Sequence, residues 1–178
     1  MNDLLIYTDF VTERLLYTLK FICDERQVNF KICNDPQRFE FEKDCAKLAY
    51  ADYPFQESYL KIQPAKIIFE DDIHTQSVSS GSFEDIKCLA FDELSDPLAS
   101  IFFVVTRYEE YLNYVPDEHD RFNANQSVLK KFDLLHKPMA DIWSEALLQK
   151  IQAHYPDFDF KKPKSQLTLS FDIDNTFA

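Results

Sequence analysis

Glycine is nearly absent from this chain: of 178 residues only Gly81 is one. A glycine-rich phosphate loop needs several residues whose backbone can approach a ligand closely, so the commonest nucleotide-binding devices are excluded. Positive charge is also scarce. Nineteen Lys and Arg stand against 31 Asp and Glu, a net charge of −12. Such a surface repels a phosphate backbone and an anionic bilayer, so no nucleic acid partner is expected. Long apolar runs are missing too. The strongest, Ile101-Phe102-Phe103-Val104-Val105, is far too short to span a membrane. No secretory signal is visible, because Met1-Asn2-Asp3 lacks positive charge and Thr8 and Asp9 interrupt the first apolar stretch. The four cysteines, Cys23, Cys33, Cys45 and Cys88, form no C-x-x-C pair. They read as reduced, mostly buried thiols of a cytoplasmic protein, with no zinc knuckle.

What is present is apolar and aromatic. Hydrophobic residues make up 46%, with 17 Phe and 9 Tyr, enough to pack a core and to argue against disorder. The length suits one domain, or one domain and the opening of a second.

The pattern predicts an α/β fold: a mixed sheet opened by a β-α-β unit and flanked by two long helices. Leu4 to Tyr7 is a strand candidate. Thr12 is an N-cap, with a hydrophobic staple between Val11 and Leu16, and helical spacing follows over residues 12 to 25. Val28 to Cys33 alternates as a strand and Asn34-Asp35-Pro36 breaks it. Further strands are expected at Lys47–Tyr50, Tyr59–Ile62, Ile67–Glu70 and Lys87–Phe91, separated by Pro54, Pro64 and Ser80-Gly81-Ser82. Gly81 is assigned to a tight turn or a positive-φ position.

Asp96-Pro97 starts the first long helix, read through Leu112 with Leu98, Ile101, Phe102 and Val105 facing a sheet. The second runs from Pro138 to His154, where Tyr155-Pro156 ends it. Residues 1–155 are therefore one α/β domain, 156–165 a linker, and 166–178 the first strand of something further. That strand, Leu167 to Asp174, delivers two carboxylates. Residues i and i+2 of a strand share a face about 7 Å apart, so Asp172 and Asp174 look into one site. Such a pair can hold a divalent metal and accept a proton from water.

Other polar groups have structural readings beside functional ones. Arg107, Glu109 and Glu110 suit an anion or sugar site, but ion pairs that fix the following loop are favoured. Asp117 to Arg121, with His119 between, is either a pocket or, as preferred, a charged loop satisfied by Arg121. His136 is expected to support the helix start and Trp143 to pack in the core.

The segments Asp96-Pro97-Leu98-Ala99-Ser100-Ile101-Phe102-Phe103-Val104-Val105-Thr106-Arg107-Tyr108-Glu109-Glu110-Tyr111-Leu112, Pro116 to Phe122 and Leu135-His136-Lys137-Pro138 resemble the amino-terminal region of bacterial polysaccharide deacetylase family proteins. In these a deacetylase barrel follows, whose first strand carries Phe-Asp-x-Asp, matched in type and order by Phe171-Asp172-Ile173-Asp174. The resemblance is clearest from residue 96 onward. It implies a metal-dependent carbohydrate esterase in the complete protein, removing N- or O-acetyl groups from an acetylated glycan. Asp172 would be the general base toward metal-bound water. Asp174 would ligate zinc or another divalent metal beside an H-x-x-x-H pair. This chain departs from that pattern: His74, His119, His136 and His154 are 45, 17 and 18 residues apart, so none pair on a helix face. The expectation is a non-catalytic amino-terminal domain whose partner is the carboxy-terminal deacetylase domain. The alternative is a stand-alone protein- or glycan-binding module without enzyme activity.

Overall fold

A computed structural model describes residues 1–55, 59–164 and 166–171. It shows a mixed α/β fold with two sheets. The first is parallel, built from β1 (Asp3–Tyr7), β2 (Asn29–Cys33), β3 (Ala46–Tyr50) and β4 (Leu60–Ile62) in the order β2-β1-β3-β4. The helix α1 (Glu13–Cys23) connects β1 to β2, so the expected β-α-β opening is present. Its N-cap is Thr12, whose hydroxyl accepts from the Leu15 N–H at 3.2 Å. Asn34-Asp35-Pro36 does more than break a strand. Asp35 caps, and Pro36 begins, a second helix, α2 (Pro36–Phe41), which the sequence reading missed.

The second sheet is an antiparallel meander of β5 (Val78–Phe83), β6 (Ile86–Phe91) and β7 (Leu94–Ser95). Its hairpin turns are Glu84-Asp85 and Asp92-Glu93, all four with positive φ, between 49° and 69°. Two such residues in a row suit the right-handed twist of a hairpin and usually involve Asn and Gly. Gly81 therefore plays a different role from the turn residue expected. It lies inside β5 with no positive φ. A Cβ there would come within 2.1 Å of Ser95 Oγ and 3.0 Å of Ala90 Cβ. The Ser95 hydroxyl is in turn fixed by the Ser82 N–H at 3.2 Å. Gly81→Ala should thus cost about 1–3 kcal/mol through overpacking, measurable as a lower midpoint in urea. An unchanged midpoint would mean that Ser95 rotates away freely.

Ile67–Glu70 is also not a strand. Lys66–Ile68 forms a 3₁₀ turn whose two isoleucines are buried. The preceding Ala65 N–H is held by the Asp96 carboxylate at 2.8 Å, which leaves this segment facing inward instead of laddering.

The first long helix, α3 (Pro97–Val105), ends seven residues earlier than expected. Thr106 turns its hydroxyl back to Phe102 O at 2.7 Å, a bond that competes with helix continuation, and Arg107 then takes a left-handed φ of 55°. The residues from Tyr108 to Tyr111 continue as a 3₁₀ turn. Pro97 through Phe103 are all buried, so α3 is enclosed on every side among α1, β6 and a later helix. Ile101 and Leu98 are fully buried, as expected, while Val105 is only partly so. A short turn, α4 (Val128–Lys131), precedes α5 (Met139–His154). Trp143 of α5 is fully buried, and its indole N–H donates to Lys87 O at 2.7 Å, which ties the helix to β6.

Cys23, Cys33 and Cys88 are buried and Cys45 half-buried, all four as free thiols. Burial pushes Cys23 and Cys88 up to about 12, so both stay protonated near neutrality. Maleimide at about pH 8 should therefore reach Cys45 first in the native protein and all four after denaturation. Rapid native labelling of Cys88 would contradict the packing described.

The chain does not leave the domain at Tyr155. Phe158 is fully buried, the Asp159 N–H donates to Met1 O at 2.7 Å, and the Lys161 N–H donates to Arg26 O at 2.8 Å. The stretch read as a linker, 156–165, is thus docked over its first half, because Phe158 and Phe160 supply apolar faces that water would otherwise cover. Residues 166–171 have no regular secondary structure, and Leu167, Leu169 and Phe171 are exposed. Among the described residues no helix is long and apolar enough to cross a membrane.

Candidate functional site

A parallel sheet offers ligands the crevice beyond its carboxyl edge where the strand order reverses. Here that point lies between β1 and β3. Tyr7 ends β1, and its hydroxyl donates to Asp9 Oδ1 at 2.9 Å. Burial and that carboxylate hold the phenol well above its ordinary value. Phe39, Tyr53 and Phe55 pack rings around Tyr7 at centroid distances of 4.9–5.6 Å. This is a tight aromatic cluster that covers the outer face of the sheet, with Tyr53 partly open to solvent.

Beside it, β3 ends on a buried polar node. Asp96 accepts from Tyr50 Oη at 2.6 Å, from Ala65 N at 2.8 Å, and from Leu98 N and Ala99 N at 2.8 and 3.2 Å. Burial raises the Asp96 carboxyl while these four donors pull it down, and the balance leaves it above the ordinary aspartate value. The same burial and the neighbouring carboxylate raise Tyr50. No donor is left over for a substrate, so the node joins the parallel sheet, the 3₁₀ turn and α3.

The charged clusters singled out in the sequence resolve as structural. Arg107 makes a two-pronged ion pair with Glu110. Glu109 accepts from Ser127 Oγ at 2.9 Å and Val128 N at 2.7 Å, which caps α4. Asp117 Oδ1 accepts from the His119 and Arg121 N–H groups at 2.9 and 3.0 Å, with Arg121 Nε at 3.4 Å from Oδ2. The two clusters are therefore loop clasps. His74 lies near Glu70 and Gln76, His119 beside Glu118, and His154 against the Tyr155 ring, while His136 is exposed. No group of three or more possible metal ligands occurs among the described residues. Asp172 and Asp174, the expected base and metal ligand, lie outside the described residues.

One residue that the sequence reading passed over as the start of a strand stands out. Lys47 is the second residue of β3 and is 5% exposed. Its ammonium donates to Glu40 O at 3.2 Å and sits over the Phe39 and Tyr59 rings at 5.3 and 5.0 Å. The signal was present: a lysine within Ala-Lys-Leu-Ala-Tyr breaks the apolar run expected of a strand buried on both faces.

These features define a mixed α/β domain whose parallel sheet is covered by α1, α3 and α5 on one face and thinly by α2 on the other. The chain belongs to a family of unknown function, DUF7033, whose model matches residues 4–156. The match stops where α5 has just ended. Comparison with curated proteins and with solved structures gives no match.

Proposed function

We propose that this chain is the non-catalytic amino-terminal domain of a metal-dependent polysaccharide deacetylase. The observation that carries the reading is the state of residues 166–171. After Lys161 the chain leaves the domain, and Leu167, Leu169 and Phe171, alternating as in a strand, stay exposed. Such alternation suits a strand, and an exposed apolar strand needs partners, which on this reading belong to another sheet. Its sequence is the one that resembles the opening strand of the deacetylase barrel, with Asp172 as proton acceptor and Asp174 as ligand to zinc or a similar cation. No chemical step is assigned to this chain. The amino-terminal domain would then brace the barrel. Four free thiols suit a reducing compartment, and we place the protein in the cytoplasm.

The test is calorimetric titration of this chain with zinc. Two carboxylates without imidazole or thiolate make at best a weak, hydrated site. No site tighter than micromolar should appear that Asp174→Ala abolishes. A tight site lost in that variant would mean that a histidine of this domain folds over the strand, and that the metal centre is complete here.

A further inference from the structure

The groove beside Lys47 has the features of a ligand site. It measures about 440 Å³ and lies between the α2–β3 connection and the segment just after α5. That volume is within the range of small-molecule pockets. Lys47 and Tyr59 line it together with Tyr155. Glu40, Glu42 and Asp157 also line it, with Lys43 adding positive charge and His154 an imidazole.

Lys47 is the observation that asks for a ligand. A buried ammonium is costly unless a counter-charge compensates it. No Asp or Glu among the described residues lies within ion-pair distance of it, whereas the exposed Lys61 of the neighbouring strand has Asp52 at 3.1 Å. One carbonyl and two ring faces stabilise the cation only in part, and an ammonium has three donors. A methionine or leucine would fill the same space without that cost. Departures of this kind from a local rule concentrate at functional sites.

We propose that the groove binds a small acidic sugar, a hexuronate or a ligand of that size and chemistry, with its carboxylate on Lys47 Nζ. The remaining lining fits the rest of such a ligand. Tyr59 and Tyr155 give the groove wall an amphipathic aromatic character of the kind that suits a sugar ring, and Glu40, Glu42 and Asp157 add polar lining of the kind that suits hydroxyl groups. An inorganic anion would meet Lys47 but leave most of a groove of this size unfilled. A neutral sugar would leave the lysine without a counter-charge among the described residues.

The experiment is a titration of the whole chain with glucuronate, glucose and inorganic phosphate, followed by calorimetry and by the tyrosine ring-proton resonances. Glucuronate should bind saturably, about tenfold or more tighter than either control, since a charge-assisted bond is at stake. It should also move ring resonances of Tyr59 and Tyr155. Lys47→Met should abolish binding while the melting temperature holds or rises. Absence of saturable glucuronate binding, equal binding of phosphate or glucose, or full binding by Lys47→Met would each overturn the proposal. If Lys47→Met does not fold, unmoved tyrosine resonances in the wild type are sufficient to refute it.

Discussion

Asp96→Ala should unfold the domain, or bring it to the edge of unfolding. The carboxylate caps α3 and at the same time receives Tyr50 Oη and the Ala65 N–H, all inside the core. Loss of an N-cap costs about 1 kcal/mol. Stranding buried donors costs about 1–3 kcal/mol for each that water does not reach. Even two stranded donors bring the loss to about 3–7 kcal/mol, comparable with the whole stability of many domains. Asp96→Asn keeps one oxygen acceptor but turns an amide N–H₂ toward donors, so it should be intermediate. Urea melts followed by the fluorescence of Trp143 would rank the three proteins. An alanine variant that melts like the wild type would remove Asp96 as the joint between sheet, turn and helix.

The second large effect concerns where the domain ends. Ending the chain after Tyr155 removes Phe158, which is fully buried, and breaks the contacts of Asp159 with Met1 and of Lys161 with Arg26. The cost should be about 3–5 kcal/mol, the usual price of deleting a buried phenylalanine. Ending it after Lys164 removes only residues whose described members are exposed, and the melting temperature should stay within about 2 °C. Equal melting of the two shortened chains would mean that Phe158 adds nothing and that the domain closes with α5. Destabilisation by the shorter deletion would place the last strand in the amino-terminal sheet.

The parallel half of the fold was legible because its signals are local. Thr12, the spacing from Leu15 to Cys23 and the strand pattern of Lys47 to Tyr50 each carry their element in a few neighbouring residues. The antiparallel half was read less well. Its turns use Glu84-Asp85 and Asp92-Glu93, acidic pairs with no Asn or Gly to mark them, while the one glycine sits in a strand for steric reasons. The end of α3 depends on Thr106 bonding backward and on Tyr108 reaching the His74 backbone, 34 residues away. No window of sequence holds that contact. The loop clasps of Arg107 and Arg121 were foreseen because ion pairs at three and four residues are local. Lys47 was not, because its burial arises from α2 and from Tyr59, and α2 itself was missed.

On the proposed function, catalysis belongs to a domain that follows this one. The most direct measurement of this is acetate release from an N-acetylated glycan by the protein extended through the sequence encoded after Ala178, with residues 1–164 alone as the control. Release by the longer protein should be chelator-sensitive, and the control should release none. Asp174→Ala in the longer protein should lower its metal content, and Asp172→Asn should keep the metal and lose the rate, since one residue ligates and the other moves a proton. Release by residues 1–164, or a longer protein whose activity ignores both substitutions, would contradict the proposed function.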